Sequence, residues 1–297
     1  MKIYYIDRKS GAKEEEKIYG GALLKFLYGE RFFGWLLMHA FSRIPLFSYL
    51  AGYFQNRPAS AKKVAPFIAE YGIDTSEFVK SDFHSFNDFF TRKLQPACRP
   101  IVQDPHRLAM PADGRYLVFP KISELEKFYV KGQAFDLKQF LQDPILAHRY
   151  AEGSLLLVRL CPTDYHRFHF PCVGIPSRPR LIPGSLFSVN PIALQKRVAI
   201  LFENKRMVTE FQTERFGQIL YIEIGATCVG TIHQNYTPEK RVEKGEEKGC
   251  FSFGGSCIAL LFESGRIRFD EDLIRNSQQK LETKAHFGDS FAVDKTI

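Results

Sequence analysis

Apolar residues are distributed along this chain in two textures. Residues 20–56, GGALLKFLYGERFFGWLLMHAFSRIPLFSYLAGYFQN, are apolar almost throughout, with uncharged stretches of 11 and 13 residues at 32–42 and 44–56. Arg43 separates the two, and Pro45 follows closely. Neither stretch reaches the roughly 20 residues needed to cross a hydrocarbon core. Spanning with both would place an arginine and a proline near mid-bilayer, which is costly. The pattern predicts two short aromatic helices lying in a membrane interface; the alternative is that they pack on the protein's own core.

Residues 59–100 mix polar and apolar positions at helical spacing. The strongest part is SFNDFFTRKL (85–94), with Ser85 as N-cap, Asp88 three residues on, and Phe86, Phe89 and Phe90 on one face. It should end near Gln95, because Pro96 and Pro100 follow. From about residue 108 the texture becomes short β-rich runs between Gly and Pro. Candidate strands are 115–119, 154–160, 186–189, 198–202, 207–211, 218–224 and 256–262. The tail after Arg268 reads as polar, mostly helix or loop. No βαβ alternation and no internal repeat is visible, which argues against dinucleotide-binding and solenoid architectures. The expected class is α+β, with an N-terminal helical, membrane-associating region (1–100) followed by a compact β-rich, barrel-like catalytic domain (101–297).

Composition changes this picture in two ways. With 45% hydrophobic and 25% charged residues the chain is globular, not disordered. Phenylalanine is abundant, 28 residues against one Trp, and 41 Lys+Arg against 33 Asp+Glu leave a net charge of +8. A basic surface attracts polyanions such as nucleic acid or an anionic membrane. The basic residues are dispersed and form no RNP-type run, so no nucleic-acid partner is expected. The six cysteines (Cys98, Cys161, Cys172, Cys228, Cys250, Cys257) form no CxxC pair, which suits a reduced, cytosol-facing protein. The N-terminus, MKIYYIDRKSGAKEEEK, has no apolar signal region.

Nucleotide, EF-hand and HExxH patterns are absent, and three local sites remain. Asp113, in Met110-Pro111-Ala112-Asp113-Gly114, by itself reads as a turn residue. In 161–171, CPTDYHRFHFP, His166 and His169 stand beside an arginine and several aromatics. Histidine titrates near neutrality and is the commonest general acid or base; the plainer alternative is one satisfied core histidine and one in solvent. A metal set would need a third ligand, and only the remote His233 offers one. Third, Gly254 and Gly255 precede Ser256 and let the backbone take conformations other residues cannot. Such a serine can approach the carbonyl before it, or the pair can simply form a turn opening the next strand.

Together these motifs resemble the phosphatidylserine decarboxylases, pyruvoyl-dependent enzymes made as self-cleaving proenzymes. The resemblance runs through SFNDFFTRKL, PADG (111–114), DYHRFHFPCVG (164–174), IPGSLFSVNP (182–191) and FGGSC (253–257). It departs at Cys257, where the family usually has threonine; this removes a hydroxyl and adds a second possible nucleophile next door. The resemblance implies that Asp113 orients His169 and that His169 activates Ser256 to attack the Gly255 carbonyl. A β chain (1–255) and an α chain (256–297) result, the latter beginning with a covalent pyruvoyl group made from Ser256. That group forms a Schiff base with phosphatidylserine, His166 donates the proton, and phosphatidylethanolamine leaves; no PLP and no metal is implied. The implied setting is the cytoplasm-facing surface of an anionic membrane, held peripherally, with αβ units that could assemble as homo-oligomers. Arg115, Lys131 and Arg167 are candidates for the lipid phosphate by charge and position. Rival readings are a serine hydrolase that stays intact, a lipid-binding barrel, and a pyruvoyl enzyme acting on a soluble amino acid.

Overall fold

A computed structural model of the chain describes residues 2–29, 32–125, 135–226, 231–254 and 256–295. The chain opens with a hairpin, β1 (Tyr4–Asp7) and β2 (Lys13–Glu15). Helices α1 (Gly21–Leu27), α2 (Phe32–Arg43), α3 (Pro45–Asn56), α4 (Val64–Tyr71) and α5 (Phe86–Phe90) follow. The remaining strands are β3 (Arg107–Ala109), β4 (Gly114–Phe119), β5 (Ser154–Leu160), β6 (Arg167–His169), β7 (Gly174–Pro176), β8 (Arg180–Ile182), β9 (Arg206–Thr213), β10 (Gln218–Gly225), β11 (Ile232–Gln234), β12 (Glu247–Phe251), β13 (Ser256–Phe262), β14 (Ile267–Phe269), β15 (Glu282–Ala285) and β16 (Ser290–Asp294).

Ten strands form one sheet in the order β2-β1-β15-β4-β5-β13-β10-β9-β7, with β8 also on β9. The class is α+β as expected, but the sheet does not close into a barrel. A barrel needs its first and last strands to exchange hydrogen bonds. Here the path ends in two three-residue strands, β2 and β7, that pair only with β1 and β9 among the described strands. Closure is replaced by layers. One face of the sheet packs Leu155, Leu157, Cys257, Ala259 and Leu261 into a core shared with helical segments. The other face packs Leu156, Val158, Leu160, Ile258 and Leu260 under two three-stranded sheets, β11-β12-β6 and β14-β16-β3. Central strands buried on both faces carry largely apolar runs, and β5, interrupted only by Arg159 after its first residue, and β13 match the expected 154–160 and 256–262.

The two short N-terminal helices form where expected. Pro45 occupies the first turn of α3, and the residue before it, Ile44, is extended, so α2 and α3 cannot join. Among the described residues no helix is long and apolar enough to cross a membrane. The run 198–202, read as a strand, instead contributes to helix Ile200–Glu203, and 186–189 is irregular. Short apolar runs do not distinguish strand from buried helix by period alone. The tail is more ordered than its polarity suggests: helix Glu271–Gln278, then β15 and β16.

Candidate active site

The SFNDFF helix is the clamp on which the site is assembled. Ser85 caps α5 by accepting from Asp88 N at 3.1 Å, and Phe86, Phe89 and Phe90 are buried. Asn87, polar and between these phenylalanines, ties the helix to a distant segment, since its Oδ1 accepts from Phe253 N at 2.8 Å. The Phe253 ring packs edge-on against Phe86 and Phe90, each with centroids 5.2 Å apart. The helix therefore holds 252–254, the segment that leads to Ser256. Just beyond the helix, Arg92 Nη2 donates to the carbonyls of Thr163 (3.1 Å) and Asp164 (3.3 Å). Arg167 reaches back to the Thr91 carbonyl at 2.8 Å. One sequence motif thus anchors both the histidine loop and the glycine-serine segment.

A buried ionic network fixes the histidine loop from the other side. Arg115 Nη1 donates to Asp164 Oδ2 at 2.5 Å, and Cys161 N donates to the same oxygen at 2.7 Å. Arg159 pairs with Glu16 and Glu282, both at 2.5 Å. The Arg115 pair and the Cys161 N–H hold the Asp164 carboxyl below its ordinary value against the opposing effect of burial.

His166 is fully buried. Its Nδ1 lies 3.0 Å from the Asp164 carbonyl. A carbonyl only accepts, so Nδ1 carries the proton and Nε2 presents a lone pair. That Nε2 is buried without a hydrogen-bond partner among the described residues. The ring lies on Phe90, centroids 3.8 Å apart. Burial lowers its pKa to about 4, opposed in part by Asp164 and by the backbone of Gly254.

His169 closes β6. Its N–H donates to the Pro111 carbonyl (2.8 Å), which places it beside the PADG turn. Its imidazole stacks on Phe287 at 3.7 Å, with Tyr165 at 5.8 Å. Burial lowers its pKa to about 3, and its Nδ1 is also without a partner among the described residues. Asp113 sits on the other side of Phe287, whose N–H donates to Asp113 Oδ1 at 2.8 Å. The Asp113 carboxylate is engaged by Arg99, Nη2 to Oδ2 at 2.7 Å and Nε to Oδ1 at 3.0 Å, and Arg99 also holds Glu77. Asp113 and His169 are brought together around one phenylalanine without a hydrogen bond from Asp113 to His169 Nδ1.

Ser256 is the first residue of β13, opposite Gly225 and Leu160, and fully buried. Its Oγ has no hydrogen-bond partner among the described residues. An orphaned buried hydroxyl costs about 1–3 kcal/mol, so among the described residues this oxygen does nothing to hold the fold together. Position 256 therefore fits a group built from the serine itself. Cys257 points to the opposite face of the sheet, among the first core cluster, and burial pushes its thiol to about 12. Gly255, Cys228 and Lys131 lie outside the described residues.

His233 does not join the histidine pair through any hydrogen bond among the described residues; its Nε2 bonds Ser252 Oγ at 2.8 Å. Among the described residues no three His, Cys, Asp or Glu side chains gather as a metal set. Arg115 and Arg167 are matched by Asp164 and Glu247. Asn87, Arg92 and Arg99 were missed as site residues. Their only local signal is a polar side chain within, for Asn87, or after, for Arg92 and Arg99, a run of buried phenylalanines.

Comparison with known proteins is in line with this geometry. A family model described as phosphatidylserine decarboxylase matches residues 86–293. The chain is 45% identical over 292 residues to the phosphatidylserine decarboxylase proenzyme of Chlamydia pneumoniae, covering 98% of this chain and 97% of that one. It is 46% identical to the Chlamydia muridarum protein of the same description, with the same coverage. With that of Chlamydia trachomatis serovar D it shares 44% over 290 residues, 97% of this chain and 96% of the other.

Proposed function

Because the chain belongs to the phosphatidylserine decarboxylase family, we propose that it converts phosphatidylserine to phosphatidylethanolamine with a pyruvoyl group that it makes from Ser256. The observation that carries this reading is the fully buried, unpartnered Ser256 Oγ directly after the glycine pair. In the first step Oγ attacks the Gly255 carbonyl carbon while its proton passes to His169, held neutral by burial. The peptide C–N bond breaks, an ester forms, and the nitrogen of residue 256 takes up a proton. Loss of the residue 256 α-proton expels the Gly255 carboxylate. Water then replaces the nitrogen, which leaves as ammonia, and a ketone remains at the new N-terminus of residues 256–297.

When present, that ketone supplies an electron sink for the substrate amine, the role PLP has elsewhere. His166 then delivers the proton that replaces carbon dioxide. Asp113, braced by Arg99, fixes the wall against which His169 stacks, through Phe287. A second assignment of the histidines is favoured by one observation: His166 is the one whose surroundings include Phe90, in contact with Phe253, and the Gly254 backbone. In that version His166 is the base for cleavage.

Attachment to the membrane is assigned to α1–α3. Phe33 (72% exposed), Tyr49 (69%), Leu23 (62%), Leu46 (57%) and Phe54 (56%) leave an apolar surface there. The net charge of +8 favours the anionic surface where the substrate resides. Intact mass tests the core of the proposal. Purified active protein should be two fragments, the smaller beginning at 256 and lighter by one ammonia than the plain peptide. Full-length protein that still decarboxylates phosphatidylserine would refute it. Co-flotation with anionic vesicles should fall when Phe33, Leu46 and Phe54 are all replaced by serine.

A further inference from the structure

A cavity of about 510 Å³ opens between α3 and the end of the large sheet where Ser256 stands. Its walls include Tyr49, Tyr53 and Asn56 of α3, with Lys205, Thr231 and Ser252 opposite. Residues of α3 that line it, Tyr49 and Tyr53, are also exposed and neighbour exposed Leu46, Leu50 and Phe54. The mouth of a partly polar cavity therefore borders an apolar surface. A lipid bound there would lead with its headgroup and leave its chains on the helix.

Sheet register sets the distance from this cavity to the reacting residue. Gly225 pairs with Ser256, and Gly225 N donates to the Lys205 carbonyl at 2.9 Å, continuing the Arg206–Ile224 pairing. Lys205, the residue just before β9, thus adjoins Gly225, which stands opposite Ser256. The glycine between them has no side chain to intervene. Two strand spacings make about 10 Å from Lys205 to Ser256. In phosphatidylserine the amine nitrogen is separated from phosphorus by four bonds, at most about 5 Å. A lysine side chain reaches about 6 Å on its four-carbon stem. The two reaches together match the gap.

We propose that this cavity seats the phosphodiester of the substrate, with Lys205 as its counter-charge and the headgroup amine directed at residue 256. The assignment rests on the reading of Ser256 given above. It makes Lys205 a specificity residue: it acts on substrates that carry phosphate and has no part in chain cleavage.

The test uses full-length Lys205→Met and Lys205→Arg proteins, scored for self-cleavage and for carbon dioxide release. The substrates are phosphatidylserine in detergent micelles and an O-alkyl serine, which keeps the amine and carboxylate but lacks phosphate. Lys205→Met should cleave normally and lose about 10–100-fold in kcat/KM on phosphatidylserine, the range for a charged hydrogen bond. The loss should lie in KM, Lys205→Arg should recover most of it, and turnover of the O-alkyl serine should match the parent. Equal activity of Lys205→Met and parent on phosphatidylserine overturns the assignment, as does an equal loss on both substrates. A Lys205→Met chain that stays uncut also overturns it, placing Lys205 in folding or cleavage. A parent protein that neither cleaves nor decarboxylates is a different result: it removes the proposed function itself.

Discussion

Two sets of buried polar groups in this protein are built on opposite principles. In one, Lys248 Nζ donates to Glu223 Oε1 (2.5 Å), Gln234 Oε1 (2.8 Å) and Thr209 Oγ1 (3.0 Å), using all three ammonium donors. Both charged side chains are fully buried, and the Tyr221 and Tyr236 rings lie within 5 Å of the ammonium, at 4.8 and 4.9 Å. In the other set, Ser256 Oγ, His166 Nε2 and His169 Nδ1 are each buried with no partner among the described residues. The first is a satisfied network that rigidifies the fold. It also occupies a bulge: Lys248 is the extra residue between Glu247, opposite His169, and Gly249, opposite Phe168. The second keeps its donors and acceptors unspent, a cost in stability that reactive groups carry.

The largest effect should come from the unsatisfied set. Ser256→Ala removes the nucleophile, so the chain should remain at 34.2 kDa by intact mass and release no carbon dioxide. Because that hydroxyl has no partner, the variant should melt no lower than an uncut parent; a marked loss of stability would mean that the serine is held after all. Within the same set His169→Ala should stay uncut. His166→Ala should cleave and lose about 10²–10⁴-fold in turnover, the span of general acid–base assistance. A gel together with carbon dioxide release separates the two, and an uncut His166→Ala beside a processed His169→Ala reverses the assignment.

The satisfied cluster should respond the other way. Lys248→Met or Glu223→Gln strands its partner, and loss of one member of a buried pair costs about 3–5 kcal/mol. Urea denaturation of the Ser256→Ala precursor carrying each change reads this. The double change Glu223→Gln with Lys248→Met should cost clearly less than the two singles combined. Additive losses would mean that the two charges do not depend on each other.

Acid provides the finest comparison. Burial lowers His166 to about 4 and His169 to about 3, against an ordinary 6.5. Their stabilisation as neutral rings is complete above pH 6.5. It declines as the pH falls from there through the folded values, because the unfolded chain takes up the protons first. The decline is bounded at about 1.4 kcal/mol per pH unit for each histidine. Stability of the Ser256→Ala precursor should fall from about pH 7 to about pH 5, and His169→Gln should flatten the slope. An identical slope in the two proteins would show that His169 does not titrate as a buried neutral group.

Local sequence was sufficient wherever a short stretch carried its own constraint. Arg43 and Pro45 divide α2 from α3, the Ser85–Asp88 spacing caps α5, and the short apolar runs 154–160 and 256–262, set between turn residues, form the expected strands. The residues proposed for chemistry, Asp113, His166, His169 and Ser256, were named by resemblance, from short motifs whose order along the chain is distinctive. What required the tertiary structure was everything that depends on partners far apart in sequence. The parallel pairing of β1 with β15 joins the two ends of the chain, Tyr5 with Glu282, and supplies an edge to the sheet that no local pattern announces. The helix at Ile200–Glu203 takes a run that looks like a strand, since burial rather than period decides so short a segment. Asn87 acquires its role only when Phe253 arrives 166 residues later, and Asp113 is braced by Arg99 rather than bonded to His169 Nδ1. The orphaned Ser256 hydroxyl is the clearest case. A serine after two glycines can be a turn or a nucleophile, and only the packed sheet shows that its oxygen is fully buried and, among the described residues, without a partner.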